Sequence, residues 1–319
     1  MRPVKPWVGL ILAAVVAGSA GAAGKAGAAQ RPRPDWPSGW LYATGTAPAS
    51  EHDQDLTVHR AARLAAEASA LTAVENLRVT PDATVKAFEA VADDLRPQIA
   101  ALVHDARIVS QGPQGDPPLF AVTIAVPLRA GPDRARGEGG TSLAHLIFPR
   151  LAALRAKAVA AQKEIDQSKA AFSIQSVDAS AYDTSAKAPP PTKPLPPQRP
   201  GPYTGLVLDT TAFHLQACMC PKIMRKDGSE VWGTVDVDSQ YVIEHGIAGF
   251  VYDLDVALSP ACRDRVGDNP LVLRAIGRQG SVWASAVISD EDAALLKSEN
   301  AKTKFLDKFA VEFVIDKEE

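Results

Sequence analysis

The residues with the most chemical potential form a short histidine and cysteine segment in the second half of the chain. His214 precedes Cys218, Met219 and Cys220, and the third cysteine of the 319-residue chain is Cys262. Two cysteines that lie two apart on an extended segment point to the same side. Together with an imidazole or a thioether, their thiolates could bind a soft ion such as Zn²⁺ or Cu⁺. A soft-metal site is therefore one hypothesis for this segment.

A disulfide is the competing hypothesis for the same cysteines. Structural metal sites usually have four ligands in two separated pairs, and this chain has only three cysteines. An exported protein meets an oxidising environment, which favours a bridge from Cys262 to either Cys218 or Cys220. A bridge between Cys218 and Cys220 themselves would be strained. We therefore expect a disulfide with no bound metal or cofactor, and keep the metal site of His214, Cys218, Cys220 and Cys262 as the alternative.

Other candidate catalytic residues are aspartates near the ends of predicted strands. The pairs Asp236/Asp238 and Asp253/Asp255 could do acid–base chemistry or bind Ca²⁺. Solvated turns and strand edges explain such residues equally simply. The sequence has no nucleophile-elbow, zinc-protease or phosphate-loop motif. We therefore expect no catalytic residues and no enzyme.

Residues 203–319 hold most of the strand-like runs, and one helix is predicted before the last of these runs. Asp227-Gly228 and Gly277–Gly280 have the composition of hairpin turns, so two hairpins are predicted. Ser289 is placed to cap a helix over Asp290–Asn300, whose first turn is acidic. The predicted strands are Thr204–Asp209, Ala217–Met224, Glu230–Val235, Ile247–Tyr252, Leu271–Ile276, Val282–Ile288 and Phe309–Ile315. This pattern predicts an α+β module.

The start of the chain has the pattern of a secretory signal. Arg2 and Lys5 precede an apolar run, and small residues follow up to Ala28. A retained membrane anchor is the alternative, because the apolar run is nearly long enough to span a bilayer. Cleavage after residue 28 would take the formal charge from −3 to −6, since the segment holds three basic residues and no acidic one. Such an acidic protein without a basic stripe is a poor nucleic-acid binder.

Residues 36–149 are predicted to form a smaller α+β module. Gly39–Gly45 reads as a strand, and Asp55–Leu77 has the three-and-four spacing of an amphipathic helix. Its many alanines would let a sheet approach closely while its leucines fill the gaps. Val85–Val103 is a second helical stretch with a break expected at Pro97. Two strands over 106–110 and 119–126 complete the module.

Residues 150–202 are predicted to link the modules. A helix is expected over Arg150–Phe172, and the proline-rich run from Ala188 to Pro202 is typical of polyproline II. An ordered run of this length would hold the modules roughly 45 Å apart. Its Lys193–Arg199 stretch could instead be a ligand for an aromatic groove.

The first module resembles a known bacterial family. Gly39–Ala47 and the alanine-rich stretch ending at Leu71 resemble the opening of the twenty-kilodalton bacterial lipoprotein family, which includes the N-terminal domain of flagellar assembly protein T. The block Tyr203–Asp209, with Asp227-Gly228 and Val266–Val272, is similar to the companion domain of such exported proteins. The resemblance implies a non-enzymatic cell-envelope protein linked to surface structures, with other envelope proteins as partners. Lipoproteins of this family carry an acylated cysteine that this chain lacks, so a periplasmic or secreted protein is expected.

Overall fold

The computed structural model describes residues 31–48, 56–81, 83–90, 92–130, 140–151, 153, 194–233, 239–279 and 284–317. The predicted signal at 1–28 and most of the predicted linker helix lie outside these residues. The described residues contain separate sheets with helices packed on them, so the predicted α+β class is confirmed.

The first module is an antiparallel four-stranded sheet with helices on one face. Its strand order is β1-β2-β6-β5, and a short β3–β4 hairpin lies beside it. The strands are β1 (Arg33–Asp35), β2 (Trp40–Pro48), β3 (Arg78–Thr80), β4 (Ala83–Thr84), β5 (Arg107–Gln114) and β6 (Leu119–Pro127). The helices are α1 (Leu56–Asn76), α2 (Val85–Glu89), α3 (Leu95–His104) and α4 (143–151).

Helix α1 packs on the sheet through its alanines. Its buried residues are Ala62, Ala66, Ala70 and Val74, whereas Leu56 and Leu64 are exposed. The backbones approach so closely that a Cβ at Gly45 would lie 2.0 Å from the Ala66 nitrogen. The prediction that the alanines let a sheet approach closely is confirmed, whereas Leu56 and Leu64, which were predicted to fill the gaps, are exposed.

The second helical stretch breaks earlier than predicted. Helix α2 ends at Glu89 and α3 begins at Leu95, so Pro97 lies in the first turn of α3 rather than at the break. A proline is tolerated there because first-turn nitrogens have no intrahelical acceptor.

The second module contains two more four-stranded sheets. One is parallel, in the order β10-β14-β7-β11, and the other is mixed, in the order β12-β13-β8-β9. The strands are β7 (Gly205–Asp209), β8 (Lys222–Met224), β9 (Glu230–Trp232), β10 (Gly249–Val251), β11 (Pro270–Arg274), β12 (Gly277–Gln279), β13 (Ser285–Val287) and β14 (Val311–Val314). The helices are α5 (Ser239–His245), α6 (Leu254–Ala257), α7 (Arg263–Val266) and α8 (Asp290–Thr303), and single 3-10 turns cover Thr211–Phe213 and Pro260–Cys262.

One of the two predicted hairpins is confirmed. The Asp227-Gly228 turn joins the antiparallel strands β8 and β9, and Gly228 has the positive φ that the turn requires. The second hairpin is confirmed only in part. Strands β12 and β13 pair antiparallel, but residues 277–279 are the first strand of this pair rather than its turn, and the run from Leu271 joins the parallel sheet. Strands buried on both faces are continuously apolar, so periodicity could not assign their partners.

The helix and the strand predicted for the last part of the chain are confirmed. The Ser289 hydroxyl accepts a hydrogen bond from the Asp292 nitrogen at 3.0 Å and caps α8. Strand β14 then lies between β10 and β7, with all four residues buried.

The two modules pack directly against each other. The nitrogens of Met219 and Cys220 donate to the carbonyls of Arg78 and Val79, at 3.0 and 2.8 Å. The rings of Trp36 and Phe250 lie 5.5 Å apart, and one buried apolar cluster includes residues of both modules. The predicted separation by a proline rod was therefore wrong.

The described part of the proline-rich run lies along the second module. Both polar atoms of the Gln198 side-chain amide hydrogen-bond to the backbone of Val272, in the outer strand β11. The Asn269 amide donates to the carbonyls of Pro200 and Pro202, at 3.0 and 3.1 Å. These contacts cover the outer edge of the parallel sheet at β11. A run that is bound along this edge does not act as a free spacer between the modules. Among the described residues, none of the helices is both long and apolar enough for a transmembrane span.

Candidate binding cleft between the two modules

The structure does not assemble the predicted cysteine cluster. All three cysteines are buried, and none of them forms a disulfide. Cys262 lies among the residues that cover one face of the parallel sheet, whereas Cys220 belongs to the apolar cluster on the other face. The predicted bridge from Cys262 to Cys218 or Cys220 is therefore not formed. Burial, reinforced by the nearby Glu312 carboxylate, raises the pKa of the Cys262 thiol to about 11.

The alternative metal site is likewise not formed. The His214 side chain is three-quarters exposed and pairs with Asp316, while Cys218 and Cys220 are buried. No group of three or more potential ligands in the described part of the chain could hold a metal ion. The structure therefore does not bring His214, Cys218, Cys220 and Cys262 together as a ligand set.

The aspartates have structural partners where the structure describes them. Asp253 accepts a hydrogen bond from the Asp255 nitrogen at 2.7 Å and caps α6. Asp209, at the end of β7, pairs with the Arg274 guanidinium at 2.9 Å. Asp236 and Asp238 lie outside the described residues.

A cleft of about 1030 Å³ lies between the two modules and is the candidate site. Its floor is the face of the antiparallel sheet that points away from α1. Tyr42, Thr44 and Thr46 alternate along β2 and line this floor, with Thr123 of β6 opposite Thr44. The hydroxyls of Thr44 and Thr123 lie 2.8 Å apart and are hydrogen-bonded. Ser110 and Gln114 of β5 extend the polar floor to the sheet edge.

The wall of the cleft comes from the carboxyl ends of parallel strands. Tyr252 follows β10, and Ile315, Asp316 and Lys317 follow β14. Leu215 and Ala217, in the loop after β7, complete this wall. Ligands of open parallel sheets bind outside the carboxyl ends of the strands, so this is the expected edge for a site.

One strained residue lies at this edge. His214 has a left-handed backbone with φ of 47°, which is uncommon for a residue with a side chain. The Arg278 guanidinium donates to the carbonyls of Phe213 and His214, at 2.7 and 3.2 Å, and stabilises this conformation. The imidazole Nδ1 lies 2.9 Å from an Asp316 carboxylate oxygen. Burial raises the pKa of Asp316, and the His214 charge opposes that shift.

A second contact between the modules is a charged junction in which Glu312 is buried and two arginines are half-buried. Arg129, which follows β6, donates to the carbonyls of Pro37 at 2.7 Å and His245 at 3.2 Å. Arg265 donates to the same His245 carbonyl, and its Nε lies 3.7 Å from a Glu312 oxygen. Burial raises the pKa of Glu312 to about 7, although both arginines oppose the shift. Burial also lowers the pKa of Arg129, and Arg265 adds to this shift.

Sequence reasoning missed the floor of the cleft. The available signal was the alternation of Tyr42, Thr44 and Thr46 with apolar residues, which marks one polar face of β2. Nothing in the sequence showed that a second module covers this face. The geometry is suited to binding and orienting an extended polar ligand, because hydroxyls and charged groups surround an open groove.

The comparison with family models covers the second module. Residues 205–317 match the model described as Treponema pallidum Tp0624, second domain. No curated protein matches the chain. The predicted resemblance of the first module to the lipoprotein family receives no support from these comparisons and stays a prediction. This chain is thus similar, over residues 205–317, to the second domain of a bacterial protein.

Proposed function

We propose that this protein is a non-enzymatic, exported component of the bacterial cell envelope that binds other envelope proteins in the cleft between its two modules. The observation that carries the proposal is the cleft itself, which neither module forms alone. One module supplies Thr44 and Thr123 from a solvent-facing sheet, and the other supplies Tyr252 and Asp316 from strand ends.

Export to the periplasm or cell surface is part of the proposal because of the signal pattern over residues 1–28. The resemblance of the first module to the lipoprotein and flagellar assembly families extends the proposal to the assembly of surface structures, the flagellum among them. The match to a bacterial family over residues 205–317 is consistent with a bacterial origin.

Site-specific photocrosslinking in intact cells tests the binding cleft. A photoreactive residue at Tyr42, in the floor, should capture a protein partner. The same residue at Leu64, on the opposite side of the sheet, is the matched control because it is more exposed than Tyr42. Equal capture at both positions, or none at Tyr42, would contradict the proposal.

Filling the cleft provides a second test. Thr44→Trp should abolish capture, because the indole would occupy the floor between Tyr42 and Thr46. Thr72→Trp, on the exposed side of α1, adds the same side chain outside the cleft and should leave capture unchanged. Deletion of the gene, with inspection of motility and envelope morphology, tests the link to surface structures.

A further inference from the structure

The outer edge of the parallel sheet at β11 is covered by a side chain rather than by another strand. In the described part of the chain, β11 pairs with β7 on one side only. On the other side, the Val272 nitrogen donates to the side-chain oxygen of Gln198 at 3.3 Å, and the side-chain nitrogen of Gln198 donates to the Val272 carbonyl. One side chain thus binds both backbone groups of the residue in the middle of this edge.

The segment that carries this glutamine, residues 194–202, is called the strap below. Leu195 packs against the apolar cluster on one face of the parallel sheet. The Asn269 side-chain amide donates to the carbonyls of Pro200 and Pro202, at 3.0 and 3.1 Å. Five of the nine strap residues are prolines, which have no N–H to donate. The strap therefore covers the edge without forming a backbone ladder with it.

The side-chain amide of Gln198 takes the place of a strand residue. In an antiparallel sheet, the two residues of a hydrogen-bonded pair exchange both of their N–H···O bonds. The Gln198 amide offers Val272 the same donor and acceptor. A Val272 from a second copy of the chain would offer them too, since a two-fold axis through such a pair makes each residue donor and acceptor to the other. The edge is therefore self-complementary.

The composition of β11 favours pairing with another strand. Leu271, Val272 and Leu273 are all buried, although β11 is an outer strand. An apolar outer strand is a template for pairing with another chain, and proteins usually cover or charge such an edge. Pro270 has no N–H, so it limits the pairing to the residues that follow it.

We propose that β11 is a self-association surface that the strap closes in cis. When the strap is displaced, a second copy of the chain pairs its own β11 antiparallel to this strand. Val272 of each copy then exchanges two hydrogen bonds with Val272 of the other, and the two parallel sheets become one continuous sheet. Neither the strap nor β11 lines the cleft, so this surface is independent of the proposed function.

Gln198→Ala tests the proposal, because it removes both hydrogen bonds to Val272 at an exposed position. Light scattering of the purified variant at about 200 μM should give twice the mass of the wild type under the same conditions. Gln216→Ala, an exposed glutamine in the loop after β7, is the matched control and should keep the wild-type mass. Leu195→Ser/Gln198→Ala also removes the apolar contact and should dimerise at about tenfold lower concentration.

Hydrogen exchange at the Val272 amide distinguishes edge pairing from unspecific association. In Gln198→Ala at about 5 μM, this amide should exchange about tenfold faster than in the wild type, and at about 200 μM it should be protected again. Circular dichroism of each variant confirms that the fold is kept.

Three results would overturn the proposal: the wild-type mass for Gln198→Ala, a doubled mass without protection of the Val272 amide at high concentration, or a doubled mass for Gln216→Ala. Capture of a partner at Tyr42 does not depend on any of these results. The failure of the self-association surface and the failure of the proposed function are therefore seen separately.

Discussion

The antiparallel and the parallel sheet differ in how their faces are covered. Strands β7, β10 and β14 of the parallel sheet are buried along their whole length, and helices lie across the sheet. Strand β2 of the antiparallel sheet alternates, with buried Leu41 and Ala43 on the α1 side and Tyr42 and Thr44 on the other. A sheet of the first kind presents only its strand ends to a ligand, and one of the second kind presents a whole face. The candidate site lies where these two surfaces meet.

The largest expected effect comes from breaking the close packing of the antiparallel sheet. Gly45→Leu should cost more than about 3 kcal/mol of unfolding free energy, because any Cβ there lies 2.0 Å from the α1 backbone. Gly277→Ala is the control, because a Cβ at Gly277 would lie 3.7 Å from the Val287 Cβ, which is an ordinary contact. Urea unfolding measures both. A Gly45→Leu protein with unchanged stability would show that α1 does not pack this closely.

Glu312, in strand β14 of the parallel sheet, should make the stability of the protein depend on pH. The pKa of Glu312 is raised from 4.5 to about 7, so the folded state holds the proton more strongly than the unfolded state. The resulting stability is present below pH 4.5 and is lost as the pH rises through 7, in total roughly 2–3 kcal/mol.

Glu312→Gln should remove most of this slope, because the amide does not titrate. Thermal unfolding at intervals between pH 5 and pH 8 measures the slope in both proteins. Glu291→Gln, in an exposed position of α8, is the control and should keep the wild-type slope. A slope in Glu312→Gln equal to that of the wild type would assign the pH dependence to other groups.

A smaller effect is expected at the junction between the sheets. Arg129→Met keeps much of the side-chain stem but removes the hydrogen bonds to Pro37 and His245, so it should cost about 1–3 kcal/mol. Limited proteolysis should also cleave the variant faster at the module boundary. Arg60→Met, which removes an exposed charge on α1, should do neither. Unchanged proteolysis of Arg129→Met would mean that the apolar contacts alone hold the modules together.

The smallest effect concerns the helix that packs on the parallel sheet. Ser289→Ala removes the cap of α8 and should cost about 1 kcal/mol. Ser298→Ala, an exposed position inside the same helix, should be neutral or slightly stabilising because alanine is the better helix former. Denaturant midpoints distinguish the two, and equal midpoints would contradict the role of Ser289.

Prediction from the sequence succeeded where the signal was local. The cap at Ser289, the Asp227-Gly228 turn and the strand from Trp40 depend on residues within a few positions of one another. Prediction failed where a distant backbone decided the outcome. The predicted buried face of α1 included Leu56 and Leu64, whereas the close approach of Gly45 leaves both exposed.

The candidate site shows the same limit. Periodicity indicates one polar face on β2, but it does not say what that face meets. The cysteines gave the strongest chemical pattern in the sequence, and the parallel sheet separates Cys262 from Cys220. The positions of the cysteines in the sequence therefore predicted a cluster that the structure does not contain, and they gave no indication of the cleft.

The sequence alone determined the α+β class, the capped final helix and the polar alternation along β2, because each arises from the short-range geometry of a strand, turn or helix. Only the tertiary structure decided that the modules touch, that Glu312 is buried with two arginines, and that a cleft opens above Thr44. These features depend on contacts between residues far apart in the sequence, whose free energies come from desolvation and close packing rather than from local conformation.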